Sequence, residues 1–446
     1  MADIVARITE IIWSPALVGL LIFAGLYFTI GTRFVQVRHL GDMVRSLFAG
    51  KAGTGKGISS FEAFCMALSG RIGTGNIVGV ATAIVIGGPG AVFWMWFIAF
   101  FGAATAFMES TMAQKYKFHH DTGFRGGPFS YIEHGLKQRW LGIAFAVTAI
   151  LGYGICLTTV QANGLATAMQ NAFHVEPLWI GLGLAAVLGI VIFGGLRSIS
   201  RVSSIITPFM ALGYIIIALV VICCNISEVP HVFATIFREA FGLGAAGGGI
   251  IGTTIMMGVK RGLFSNEAGQ GGGAIVSASA DVTHPVRQGF AQSFSVYVDT
   301  LFVCTATALM ILIAAPEGLG DNYAGYTQSA IDSIFPGFGS VFVSVAMVFF
   351  VYTTVMAYYF YSESSLMYLM RRRTGSKLEK GLVILLRLAI MTMAVLGTVY
   401  EAQTVWNLGD IGVGISAWIN VIALLLLSRE GFRLLREFER GDGLKR

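Results

Sequence analysis

Ser69-Gly70-Arg71-Ile72-Gly73-Thr74-Gly75-Asn76 stands about midway along an apolar run over residues 61–86. A run of that length crosses a ~30 Å hydrocarbon layer as a helix, yet its glycines and a stranded arginine predict that the helix is broken here. Unwinding frees backbone N–H and C=O groups, which lipid penalises heavily unless a cavity or a ligand satisfies them. The half-helix that restarts near Gly75 and Asn76 would present bare N–H groups and a positive dipole end, suited to a carboxylate. The carbonyls around Ser69 to Ile72 suit a cation. A second cluster, Gly242-Leu243-Gly244-Ala245-Ala246-Gly247-Gly248-Gly249, interrupts the run 233–258. The two runs are five spans apart and cross in opposite directions, which predicts a five-plus-five inverted repeat with a site near the membrane midplane.

Working outward, the composition agrees. Of 446 residues, 55% are apolar and only 12% charged, and the mean hydropathy is +0.74. Such a chain cannot clothe a water-facing surface with polar groups, so the fold class expected is an all-α membrane protein. Cys65, Cys156, Cys223, Cys224 and Cys304 all lie in apolar stretches with no metal or redox spacing, and no disulfide is expected. A net charge of +6 comes without a basic patch interleaved with aromatics, so nucleic acid is excluded as a partner. Gly50 to Lys56 reads G-x-x-x-x-G-K, but Gly57 replaces the metal-binding hydroxyl and no strand precedes it. Gly242-x-Gly244-x-x-Gly247 matches a dinucleotide fingerprint only literally, inside a membrane run.

Eleven spans are expected, at about 14–32, 61–86, 90–114, 141–172, 177–195, 205–224, 233–258, 288–314, 338–369, 381–399 and 404–428. Lys and Arg gather in alternate connections, for example Arg33, Arg38, Arg45, Lys51 and Lys56 after the first span and Arg371, Arg372, Arg373, Lys377 and Lys380 after the ninth. Lys260, Arg261 and Arg287 are counted with the connection after the seventh. The other face holds Arg7 and Arg238. The positive-inside rule then places the N-terminus outside and the C-terminus in the cytoplasm. No A-x-A site follows the first span, so it reads as retained rather than as a cleaved leader. A single transporter domain is expected: an extra N-terminal helix and loop (1–60), repeats at 61–224 and 233–428, and a cytoplasmic tail (429–446).

Gly87-Gly88-Pro89-Gly90-Ala91-Val92-Phe93-Trp94-Met95-Trp96 resembles the signature of the alanine or glycine:cation symporter family, the sodium:alanine symporters. Gly73-Thr74-Gly75-Asn76-Ile77, Arg261 to Gly269, and His284 to Gly289 followed by Asp299-Thr300 extend the resemblance from about residue 60 to 425. It implies a leucine-transporter-like fold with one extra N-terminal helix, in a bacterial inner membrane, carrying a small amino acid with Na⁺ as coupling ion. It also implies that Thr74, Gly75 and Asn76 hold the substrate carboxylate, with Gln161 reaching it from the side. Thr353 and Thr354, with carbonyls of Ser69 and Ile72, would form the sodium site. Where the family often carries Trp in the pocket wall this chain has Tyr358, smaller and bearing a hydroxyl. Gly247 and Gly248 would supply backbone to the ammonium end.

An ionised group at mid-membrane is a functional suspect. Asp299 is a candidate cation ligand or proton carrier, or equally the counter-ion of Arg71. Asp410 and Glu109 read as structural, near interfaces or helix ends. Glu267, with Ser265 and Asn266, is expected just beyond the cytoplasmic end of the seventh span, in a gate or a capping network. Gln161 and Asn163 can be interhelical glue, and Thr353 and Thr354 can bond their own helix carbonyls. A proton-driven transporter of the same fold is the nearest rival. A channel or an intramembrane enzyme is the next, although no H-E-x-x-H or Ser/His pair lies in the spans.

Overall fold

Ser59 opens the interrupted span with a capping box: its hydroxyl accepts from the Glu62 amide at 3.2 Å, and the Glu62 carboxylate accepts from the Ser59 amide at 2.7 Å. The helix runs Ser60–Arg71 and stops where Ile72 turns extended. A tight 3₁₀ turn, Thr74–Asn76, then leads into a second helix, Val78–Gly87. The two halves are bent by 58°. This is a computed structural model that describes residues 2–49, 57–242 and 249–441.

Among the described residues, eight helices are long and apolar enough to cross a membrane: Ile4–Gly31, Ala91–Lys115, Arg139–Phe173, Gly195–Cys224, Pro285–Ala314, Phe338–Arg373, Lys377–Val399 and Ala402–Leu426. The bent pair makes a ninth, and Pro177–Ile192 is a shorter apolar helix. Helix Gly195–Cys224 shows how such a chain meets lipid. Ile205, Phe209, Leu212, Ile216 and Leu219 recur at helical spacing and are exposed, while Ser203, Thr207, Met210 and Tyr214 turn inward and are buried. The chain is a multi-pass, all-α membrane protein.

The second interruption is expected at 242–249. Residues 243–248, and with them Gly247 and Gly248, lie outside the described residues. Beside them, Val229–Ala240 and Gly249–Asn266 are separate helices. The helix Gly249–Asn266 continues past residue 258, where the span was expected to end, so Lys260 and Arg261 lie within it rather than in a connection. It stops at a tight turn in which Glu267 (φ 53°), Gly269 (φ 93°) and Gly271 (φ 96°) take left-handed conformations, and a short helix Gly272–Ala278 follows. This turn meets the first break.

Two further helices are distorted where they pass the breaks. A π-helical segment occupies Ile150–Leu157 in the helix that carries Gln161, and another occupies Tyr297–Cys304, which contains Asp299. Such segments are rare and gather at functional sites. Next to the first helical half, Ile58 bridges Ala280, and a small antiparallel hairpin pairs Phe118–His120 with Gly123–Arg125.

Candidate functional site

Gly73 carries no side chain because none fits: a Cβ there would lie 2.6 Å from Gln161 Oε1 and 2.8 Å from Thr354 Oγ1. Its amide donates to Asn76 Oδ1 at 2.8 Å, and the Thr74 amide donates to Gln161 Oε1 at 2.9 Å. Two donors freed by unwinding are thus satisfied by side-chain carbonyls. Thr74 Oγ1, fully buried, has no partner. An orphaned buried hydroxyl costs about 1–3 kcal/mol, so it marks the point at which a ligand would stabilise the break. Gly75 backs onto Phe264, whose ring carbon would be 3.1 Å from a Cβ placed there.

Thr354 approaches from the long helix Phe338–Met370. Its Oγ1 lies 2.8 Å from the Ser69 carbonyl, 3.0 Å from the Ile72 carbonyl and 2.8 Å from the Phe350 carbonyl of its own helix. One hydroxyl proton can serve only one of these acceptors. The remaining lone pairs converge, and an all-oxygen set of this kind fits a hard cation such as Na⁺. Thr353 departs from the expectation. Consecutive helical residues point about 100° apart, and Thr353 Oγ1 donates to the Phe349 carbonyl at 2.9 Å or the Phe350 carbonyl at 3.1 Å, facing Met210. Thr207, not singled out from sequence, is nearer the break: its hydroxyl is 2.7 Å from Ser69 Oγ.

Asn76 and Asp299 also differ from expectation. Asn76 Nδ2 donates to Asp299 Oδ1 at 2.6 Å and meets Cys304 Sγ at 3.3 Å, while its Oδ1 serves Gly73. With both side-chain hydrogens engaged, Asn76 braces the break instead of extending a free donor toward a ligand's carboxylate. Asp299 further accepts from Ser265 Oγ at 2.9 Å and Thr300 Oγ1 at 2.7 Å. Ringed by neutral donors, it has little coordination left for a cation. Nor does it pair with Arg71, whose Nη1 donates to the Gln292 carbonyl, Gln292 Oε1 and Ser295 Oγ.

Tyr361 ties the two breaks together: its hydroxyl lies against Gly70 and donates to Glu267 Oε2 at 3.3 Å, and the Tyr358 ring lies 5.8 Å from it and 5.4 Å from that of Tyr153. Glu267, expected at a cytoplasmic edge, is instead fully buried against the first break, its Oε2 within 3.4 Å of a Cβ placed on Gly70. On another side the Phe264 ring packs at a tilt against Trp406, 5.1 Å between centroids, and the Arg261 guanidinium lies 4.7 Å from the Trp406 ring. Arg261 makes two hydrogen bonds of 3.1 Å to Asp410, and Lys260 pairs with the same carboxylate at 2.6 Å. Asp410 is thereby the counter-ion of two bases hidden in an apolar helix.

The model of the sodium:alanine symporter family matches residues 1–444. The chain belongs to this family. It is 48% identical over 457 residues to the putative sodium/proton-dependent alanine carrier protein YrbD of Bacillus subtilis, covering 99% of this chain and 93% of that one. It is 40% identical to the sodium/alanine symporter AgcS of Methanococcus maripaludis, over 96% of this chain and 94% of the relative. The probable sodium/glutamine symporter GlnT of Bacillus subtilis is 42% identical over 99% of this chain and 91% of the relative. In fold, the symporter is similar to the solved structure of MhsT in complex with L-phenylalanine. The TM-score is 0.55 at 16% identity, over 86% of this chain and 90% of that one. A sodium-coupled sialic acid symporter gives the same TM-score of 0.55 at 11% identity, over 96% of this chain and 86% of that one. These neighbours place the family member among leucine-transporter-like folds, with two discontinuous helices in an inverted repeat. As a member of a family of symporters it is a sodium-coupled transporter.

Proposed function

We propose that this symporter imports a small neutral amino acid, alanine or glycine, together with Na⁺, across the inner membrane of a bacterial cell. The observation that carries this reading is the first break, where the Ser69 and Ile72 carbonyls converge on Thr354 Oγ1 while Thr74 Oγ1 is left without a partner. Sodium would sit on those oxygens, and the substrate carboxylate would rest beside it on Thr74 and the backbone at Gly75, with Gln161 fixing the turn. Relatives named for alanine and for glutamine frame the range of side chains. Phe264 packed on Gly75, together with the bulk of Tyr358, favours the small end. The two five-helix halves, taken here as 60–224 and 249–426, would rock about this centre, with the N-terminus outside and the C-terminus in the cytoplasm.

The energetics suffice without ATP. One positive charge crossing 100 mV releases ~2.3 kcal/mol, enough for roughly a 50-fold solute gradient at 1.4 kcal/mol per decade. Radiolabelled alanine and glycine uptake into proteoliposomes tests the reading: uptake should saturate, require Na⁺ and rise with an inside-negative potential. Uptake indifferent to both Na⁺ and potential would refute it. Relatives named as sodium/proton-dependent carriers support a second element, a proton moving with Na⁺; replacing Na⁺ by choline at fixed pH separates that from a purely proton-driven cycle.

A further inference from the structure

Beside the proposed sodium and substrate positions lies a buried polar cluster to which neither is assigned. Its centre is Glu267, in the turn of the second break, fully buried and in a left-handed conformation at φ 53°. Its Oε2 accepts from the Tyr361 hydroxyl at 3.3 Å, and its Oε1 has no hydrogen-bond partner. The groups facing it come from every element packed around it: Arg71 from Ser60–Arg71, Glu109 from Ala91–Lys115, and Asp299 from the π-helical segment Tyr297–Cys304. Tyr153 comes from the other π-helical segment, and Tyr358 and Tyr361 from the long helix. One guanidinium therefore shares this buried interior with three carboxylates.

The three acids are not equally provided for. Asp299 has its own ring of donors, and Glu109, whose Oε1 is also unpartnered, accepts the shorter bond of the other two, from Asn420 Nδ2 at 2.9 Å. Glu267 has one long bond, from the Tyr361 phenol at 3.3 Å. A buried carboxylate so short of donors, amid excess negative charge, is stabilised by taking up a proton. A metal ion suits the place poorly, because Arg71 already stands there with Nε and Nη2 unpartnered. Tyr153 OH is also without a partner, and it borders Glu267: a Cβ on Gly272 would be 2.7 Å from Glu267 Oε2 and 3.1 Å from Tyr153 OH. A proton on Glu267 supplies the donor that the Tyr153 oxygen lacks.

Resting on the transport reading above, we propose that Glu267 is a proton-binding site, and that its proton crosses the membrane with the amino acid and Na⁺. The proton is taken up on Oε1 from one side and released from it to the other, with no other bond made or broken. Coupling runs through Tyr361, which donates to Glu267 and stands seven residues, about two turns, from Thr354 on the same helix Phe338–Met370, so that a change of charge on Glu267 acts on the helix that carries the cation-facing hydroxyl.

The test is alanine-driven acidification of proteoliposomes that hold a trapped pH dye, measured alongside radiolabelled alanine uptake in Na⁺. Wild type should acidify the lumen as alanine enters. In Glu267→Gln the acidification per alanine taken up should fall at least ~10-fold, whatever the uptake rate, since a carboxamide cannot carry the proton; Glu109→Gln should keep the wild-type ratio. Acidification retained by Glu267→Gln, or absent from wild type while alanine enters, overturns the proposal. Absence of alanine uptake by wild type instead overturns the transport reading. Should Glu267→Gln fail to transport, carbodiimide labelling of wild type decides: a label on Glu267 that fades at alkaline pH supports the site, and no label on Glu267 at any pH rejects it.

Discussion

Thr354→Val removes the one hydroxyl that meets the carbonyls of both Ser69 and Ile72 and keeps the shape of the side chain. If a cation occupies that set, the variant loses one oxygen ligand to a charge, an interaction of about 1.5–3 kcal/mol. At 1.4 kcal/mol per decade this raises the half-saturating Na⁺ concentration roughly 10- to 150-fold. Because Na⁺ and substrate are coupled, apparent alanine affinity at fixed low Na⁺ should fall with it, and recover as Na⁺ is raised. The assay is initial alanine uptake against Na⁺ in proteoliposomes, with melting temperature in detergent measured with and without Na⁺ as an independent readout of binding. Thr353→Val is the matched control. Its hydroxyl back-bonds to Phe349 and Phe350 on its own helix, so its Na⁺ dependence should move less than ~3-fold. Equal shifts in the two variants, or none in Thr354→Val, would refute the cation assignment and the side-chain geometry behind it.

Three other outcomes follow from the same geometry. Gly73→Ala places a Cβ 2.6 Å from Gln161 Oε1 and 2.8 Å from Thr354 Oγ1, so uptake should be abolished in a protein that still elutes as a folded species; normal uptake would mean that the break is looser than described. Asn76→Ala removes the acceptor for the Gly73 amide and a donor to Asp299, at about 1.5–3 kcal/mol for the charged bond, and should lower the melting temperature as well as alanine binding. Asp410→Asn leaves Lys260 and Arg261 without their counter-ion, a loss of about 3–5 kcal/mol for a broken buried pair; thermal melting should show it, and Lys260→Met with Arg261→Met in the same chain should recover part of it.

What could be read in advance, and what could not, follows from how far each signal extends along the chain. The first break was legible because its cause is local: glycine, threonine and asparagine concentrated inside an apolar run also serve as the groups that satisfy one another there. The turn at Glu267 to Gly271 was not anticipated, for the opposite reason. Glycine is densest at 242–249, but the turn at Glu267 to Gly271 is made by left-handed conformations that a composition window does not register, and the neighbouring apolar helix Val229–Ala240 pulled the expected span toward itself. Lys260 and Arg261 then looked like loop residues, since what lets them lie inside a helix is Asp410, about 150 residues away in sequence and 2.6–3.1 Å away in space. Asp299 shows the same limit: Arg71 was a reasonable partner by charge, yet donors from Asn76, Ser265 and Thr300 satisfy it without a countercharge. That substitution has a functional consequence. With Asp299 satisfied by neutral groups and Asp410 by two bases, the acids left with an unpartnered oxygen are Glu109 and Glu267, of which Glu267 has the longer single bond, so a search for a titrating group in this fold is directed by hydrogen-bond supply rather than by depth in the membrane.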